Sequence, residues 1–191
     1  MAAIRTFVAL DLDDAIRGRL TAAAADLPRA GAKIRWVAPQ NLHVTVKFLG
    51  DVAEGDMAAV CEAVTEAVAA VAPFDFTVRG LLARPSAGRK LQMLWAGVDE
   101  PTGQLAAAFD ALQAALEPLG FPRERRAFRP HVTLARIKSV PDPAGLRAAA
   151  GNHAETPFGE KTAEAFTVYQ SDLRPAGPIY TPLAAARFSG S

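Results

Sequence analysis

His43-Val44-Thr45 and His131-Val132-Thr133 set a histidine and a threonine two residues apart twice in one chain, and together they use two of its three histidines. The two copies lie 88 residues apart (131 minus 43). In an extended strand, residues i and i+2 point to the same face. Each triplet therefore offers one imidazole and one hydroxyl on one side, while Val44, Val46, Val132 and Leu134 face the other way. If a pseudo-two-fold axis brings the strands together, two histidines and two threonines converge on one cleft. That set suits phosphoryl transfer to water. One imidazole takes the proton of the attacking water, the other protonates the departing alkoxide, and the hydroxyls bond the non-bridging oxygens where charge accumulates. An ordinary imidazole pKa near 6.5 leaves both protonation forms available for the two tasks.

A single His-x-Thr is an ordinary polar strand feature, so the repetition with matching apolar flanks is what carries the argument. Zinc chemistry wants at least three protein ligands. The remaining histidine, His153, falls in the polar stretch "AGNHAETPFG", read as an exposed loop. No metal and no other cofactor is expected. A nucleophile elbow and a Gly-rich phosphate loop are both absent from the sequence.

The elements that must position these residues read as a mixed α/β fold. The chain has 191 residues, half of them hydrophobic, enough for a substantial core. Its formal net charge of +1 and pI near 7.9 argue against wrapping long stretches of nucleic acid, although a local basic cluster remains open. The opening "MAAIRTFVALDLDDAIRGRL" breaks its short apolar run with acidic residues, so it reads as a first strand rather than a secretory signal or membrane span. A lone Cys61 cannot form an internal disulfide; it suits a reducing cytoplasm and is expected to be core.

Strands are predicted at 4–12, 34–37, 42–50, 74–83 and 91–98, the last two as a hairpin around the basic loop "RPSAGRK". Further strands are predicted at "HVTLARI", "AEAFTVYQSDL" and "IYTPLAAARF". Helices are predicted from Asp13 or Asp14 to Leu27, from Gly55 to Val71, over 102–119 and over 143–150. Each His-Val-Thr copy thus lies in a half with several strands and at least one helix, which looks like an internal repeat. Trp36 and Trp95, in apolar strands, are expected in the core.

The pair "NLHVTVKFLGDV" and "RPHVTLARI" resembles the signature of the two-histidine phosphoesterases, specifically the RNA 2′,3′-cyclic phosphodiesterases first described as 2′-5′ RNA ligases. "RTFVALDL", "RWVAPQNLHVT", "LWAGV" and "SDLRPAGPIYTPL" follow that family's order over nearly the whole chain. The resemblance implies one bilobal domain over 1–191, an α/β (α+β) fold. Two pseudo-symmetric lobes of mostly antiparallel strands carry helices outside and a central cleft. It also implies metal-independent hydrolysis of an RNA 2′,3′-cyclic phosphate to a 2′-phosphate, with His43, His131, Thr45 and Thr133 as the catalytic residues.

Phe48 matches a family position that packs on the terminal base, and Arg136 a family arginine near the nucleotide. Strict alternation from His43 and His131 puts both on the wrong face, so only a bulge or a strand end would bring them to the substrate. Pro130 presets extended geometry at Arg129. Arg123, Arg125, Arg126 and Arg129 can meet RNA phosphates or form a solvated loop, and the same two readings hold for Arg84, Arg89 and Lys90. Arg126 and Arg129 are carried as substrate contacts.

Two other readings use the same cleft. The reaction can run backwards as 2′-5′ RNA ligation, or as cleavage of a 2′-5′ linkage, or the cleft can be a non-catalytic RNA-end-binding module. Two complete His-x-Thr pairs speak against simple binding, which Arg or Lys would serve better. The expected partners are RNA 3′ ends or cyclic nucleotides, with no membrane, for a cytoplasmic monomer.

Overall fold

A computed structural model describes residues 2–85, 90–175 and 177–190. In chain order the elements are β1 (Ala3–Asp11), α1 (Asp14–Ala25), β2 (Lys33–Trp36), β3 (His43–Ala53), α2 (Met57–Val68), β4 (Phe74–Arg84) and β5 (Met93–Asp99). They continue with α3 (Gln104–Leu116), β6 (His131–Ser139), α4 (Pro143–Gly151), β7 (Pro157–Ala163), β8 (Ala165–Arg174) and β9 (Gly177–Arg187). Asp13 caps α1 by accepting from the Ile16 N–H at 2.7 Å, the sequence signal expected at that position.

The strands form one antiparallel sheet in the order β7-β4-β5-β6-β3-β1-β8-β9, with β2 also beside β6. The motif strands β3 and β6 are its middle. They share a single rung, Val44 opposite Val132, and beyond that rung β2 takes the place next to β6. One lobe is therefore β3-β1-β8-β9 and the other β7-β4-β5-β6 with β2. The hairpin predicted for β4 and β5 forms as expected.

Hydrophobic burial fixes the motif strands from behind. Val44, Val46, Val132 and Leu134 are buried in the common core with the helix side chains Val60, Val64, Leu112 and Leu116. Each such side chain stabilises the fold by about 1.5–3 kcal/mol relative to exposure. The opposite faces of the same strands are left for chemistry.

Both motif strands then break alternation at the same place. On β3, Thr45 pairs with Ala9 and Lys47 with Val8, so Val46 is an extra residue; on β6, Thr133 pairs with Trp95 and Ala135 with Leu94, so Leu134 is extra. Each bulge leaves two consecutive residues facing the core, Val46 and Lys47 in one strand and Leu134 and Ala135 in the other.

Two expectations fail. The stretch read as a polar loop around 150–159 contains the start of β7, which pairs with β4 and buries Phe158 and Ala163. His153 is half-buried rather than exposed, because its carbonyl accepts from the Leu81 and Thr156 N–H groups and so ties the end of α4 to β4. Cys61 is half-buried at the margin of the core, where desolvation pushes its thiol upward and keeps it protonated. Among the described residues, no helix is long and apolar enough to cross a membrane.

Candidate active site

The antiparallel Val44–Val132 rung sets the geometry of the site. With the two valines buried, the residues on either side of them, His43 and Thr45, His131 and Thr133, emerge on the opposite face of adjoining strands. The four residues singled out in the sequence are thereby brought to one face on both sides of one local axis.

Each imidazole is held by the same bond. Nδ1 of His43 meets the Asn41 carbonyl at 2.8 Å, and Nδ1 of His131 meets the Arg129 carbonyl at 2.8 Å. A carbonyl only accepts, so both Nδ1 atoms carry hydrogen and both Nε2 atoms are left for proton exchange. Nε2 of His43 pairs with the Thr45 hydroxyl at 2.9 Å. Asn41 is itself anchored, its amide donating to the Pro178 carbonyl at 2.8 Å, which ties the β8–β9 hairpin to the turn before β3.

The aromatic surroundings differ between the lobes. His43 stacks on Phe7 at 4.8 Å between ring centroids and meets the edge of Tyr180 at 5.4 Å. His131 stacks on Trp95 at 3.7 Å. Trp95 is thus a wall of the cleft rather than core: it pairs with Thr133 in the sheet and so shares the face of the motif histidines and threonines. Trp36 keeps its expected place against the core, with the Arg29 guanidinium 4.5 Å above its ring.

The charges differ as well. Burial pushes both imidazoles below their ordinary pKa, and the carbonyls of Asn41 and Arg129 push back in part. Asp11, which pairs with His43 across β1 and β3, also raises His43, against opposing effects of Arg17 and His131. Among the described residues no carboxylate raises His131 in this way, and Arg84 lowers it further. Asp11 is itself oriented by two donors, the Thr167 hydroxyl at 2.7 Å and the Tyr169 hydroxyl at 2.6 Å. Desolvation and this Asp11 contact hold the Tyr169 phenol well above its ordinary value. Beside His43, a cavity of about 320 Å³ is lined by Asp11, Arg17, Asn41, Tyr169 and Tyr180 among others.

The two bulges decide the residues left open by alternation. Phe48 emerges 62% exposed, with its ring 6.0 Å from Phe7 on the histidine side. Arg136 is exposed at the corresponding position of β6, close enough to Tyr180 to pull that phenol down against its burial. The basic run before β6 divides. Arg129 contributes its backbone carbonyl to His131 and its side chain is exposed; Arg123 pairs with Glu117 at 2.9 Å. Arg125 and Arg126 line a separate cavity of about 580 Å³ against α3, in which neither motif histidine takes part. Arg126 is among the residues of this cavity and not of the one beside His43. Arg84 faces the cleft beside Trp95, Lys90 is exposed, and Arg89 lies outside the described residues.

Sequence reasoning missed Phe7, Asp11, Trp95, Tyr169 and Tyr180, because a site paved by neighbouring strands leaves no spacing signal within any one of them. Lys47 was also hidden. The bulge turns it into the core, where its ammonium donates to the Pro122 carbonyl at 2.9 Å and links the first motif strand to the segment leading into the second.

Among the described residues, no three His, Cys, Asp or Glu side chains gather closely enough to hold a metal ion. What the arrangement can supply is two imidazole nitrogens, two hydroxyls and flanking cations.

The chain is similar throughout its length to known phosphoesterases. The model of the LigT-like phosphoesterase family matches twice, over residues 10–95 and 97–180, so each match contains one His-x-Thr pair. The RNA 2′,3′-cyclic phosphodiesterase of Methanothermobacter thermautotrophicus is 32% identical over 188 residues, covering 96% of this chain and 98% of its relative. That of Archaeoglobus fulgidus is 34% identical over 181 residues, covering 94% and 98%. Among solved structures, TT0787 of Thermus thermophilus superimposes with a TM-score of 0.80 at 29% identity, covering 98% of this chain and 99% of that one. Escherichia coli LigT complexed with 3′-AMP gives a TM-score of 0.77 at 24% identity, with the same coverage, and shares the fold. With the family pattern matched once in each half of the sequence and a motif histidine in each match, the chain belongs to the LigT-like phosphoesterases.

Proposed function

We propose that this protein hydrolyses RNA 2′,3′-cyclic phosphate ends to 2′-phosphates, without a metal, the whole chain acting as one two-lobed domain. The observation that carries the reading is the pairing of His43 and His131. Both are locked through Nδ1 to a carbonyl, which leaves two Nε2 atoms for a single phosphate seated over the Val44–Val132 rung. Relatives at 32% and 34% identity bear the name RNA 2′,3′-cyclic phosphodiesterase, which supports the choice of substrate.

In this mechanism His131 enters neutral and takes a proton from the water that attacks phosphorus. His43 enters protonated, with Asp11 supporting its charge, and delivers its proton to the departing 3′ oxygen. Thr45 and Thr133 donate to the non-bridging oxygens as charge develops there, which frees His43 Nε2 from its resting contact with Thr45. Phe48 stacks on the terminal base and Arg136 offsets the phosphate charge.

The test is incubation of the purified protein with an oligoribonucleotide ending in a 2′,3′-cyclic phosphate. The reading expects conversion to a 2′-phosphate. A 3′-phosphate product, or no hydrolysis, would reject it.

A further inference from the structure

The register across β4, β5, β6 and β2 lines up cationic side chains in one cross-strand row. Arg84 is opposite Met93, Met93 is opposite Arg136, and Arg136 is opposite Arg35. Residues opposite one another in an antiparallel ladder share a face. The next row over, Leu82-Trp95-Thr133, contains a motif threonine, so the arginines lie one row from the phosphate position, on the same face. Lys138, two residues beyond Arg136, is also exposed. Three interstrand steps of about 4.8 Å give the row a span of about 14 Å.

This arrangement is costly in the free protein. Arg35 and Arg136 are like charges directly opposite each other, which destabilises a sheet. Among the described residues, none of Arg35, Arg84, Arg136 and Lys138 forms an ion pair, whereas Arg17, Arg79, Arg123 and Arg174 each have a carboxylate. The Arg84 Nε is buried with no hydrogen-bond partner, and its guanidinium lies 5.4 Å from the centre of the Trp95 ring that stacks on His131. On a chain whose formal net charge is only +1, this concentrates uncompensated positive charge at one edge of the cleft.

We propose that this row is a track for the phosphate backbone of the RNA strand leading to the reacting end, so the preferred substrate is an oligonucleotide rather than a mononucleotide. The proposal rests on the cyclic phosphodiesterase reading and extends it from the terminal nucleotide to the phosphates that precede it. Arg136 stays with the reacting end, and Arg35 and Lys138 take the phosphates that precede it. Three or four cations suit a short single strand and not a long wrapped one.

The test uses the double variant Arg35→Ala, Lys138→Ala, which leaves the histidines, the threonines and Arg136 untouched. Binding of a 5′-labelled tetranucleotide carrying a 2′-phosphate is measured by fluorescence anisotropy across a salt series, beside turnover of a mononucleoside 2′,3′-cyclic phosphate. The expected result is affinity for the tetranucleotide weaker by on the order of tenfold and a salt slope smaller by about 1.4, two contacts at about 0.7 each. Mononucleotide turnover should stay at the wild-type level. Unchanged affinity and slope would overturn the track, as would an equal loss on the mononucleotide. If the variant lost affinity and slope as predicted but the wild-type protein hydrolysed no cyclic phosphate, the track would stand and the assigned reaction would fall.

Discussion

Val44 and Val132 face each other across the one rung that joins the two lobes, and that contact puts His43 and His131 on opposite sides of a shared local axis. The symmetry is of backbone and bonding, since each imidazole gives its Nδ1 hydrogen to the carbonyl two residues earlier. It is broken by what lies beside each ring: Asp11 and Phe7 at His43, Arg84 and Trp95 at His131. In the mechanism proposed above, it is this asymmetry of charge on a symmetric scaffold that assigns the two identical side chains different roles.

The pH dependence follows from the sign of these shifts. Both imidazoles titrate below 6.5 in the free protein, so near neutrality both are uncharged and the form with one proton accumulates on the acid side. The profile of kcat/KM should be a bell centred below pH 6.5, its limbs belonging to the coupled pair. The anionic substrate favours the charged form, so the kcat profile should lie at higher pH. Replacing Asp11 with Asn removes the carboxylate that raises His43 and should move the alkaline limb to lower pH. An unmoved limb would show that Asp11 only braces Tyr169 and Thr167.

Phe48→Ala should weaken substrate binding by about 1–3 kcal/mol, the value of one base stacked on an aromatic ring. The effect should appear mainly in KM, on the order of 5-fold to 150-fold, and Phe48→Trp should restore it. Steady-state kinetics on a cyclic-phosphate oligonucleotide separates this from a folding defect, in which both variants would lose kcat.

Chelation should leave the rate almost intact. The motif donors are two imidazoles and two hydroxyls, and among the described residues no three His, Cys, Asp or Glu side chains gather to hold a metal ion. Activity lost on dialysis against EDTA and restored by one added divalent ion would favour a metallo-phosphodiesterase.

Much of this site is legible in the sequence because the His-x-Thr spacing matches the two-residue period of a strand and its recurrence marks two equivalent strands. Phe48 and Arg136 are ambiguous there for a physical reason. "HVTVKF" and "HVTLAR" carry no turn residue to announce that Val46 and Leu134 are bulged, and unbulged strands would send both side chains to the core. Lys47 illustrates the converse, a charged residue that alternation assigns to the open face and the bulge buries against Pro122. β7 is hard to see because "PFGEKTA" buries only Phe158 and Ala163 fully, too few to stand out from a polar loop. Trp95 reads as core from its apolar neighbours, and only its register with Thr133 reveals the face it occupies.

The division of labour between the histidines is tested most directly by changing the leaving group. His43→Ala and His131→Ala should each lower hydrolysis of the normal cyclic phosphate by about 10²–10⁴-fold while circular dichroism and thermal unfolding confirm an intact fold. A cyclic substrate with sulfur in place of the 3′ bridging oxygen departs without needing a proton. It should rescue His43→Ala substantially and leave His131→Ala inactive. Rescue of the His131 variant alone would reverse the two roles, and rescue of neither would contradict acid–base catalysis by this pair and leave the histidines as binders of the phosphate.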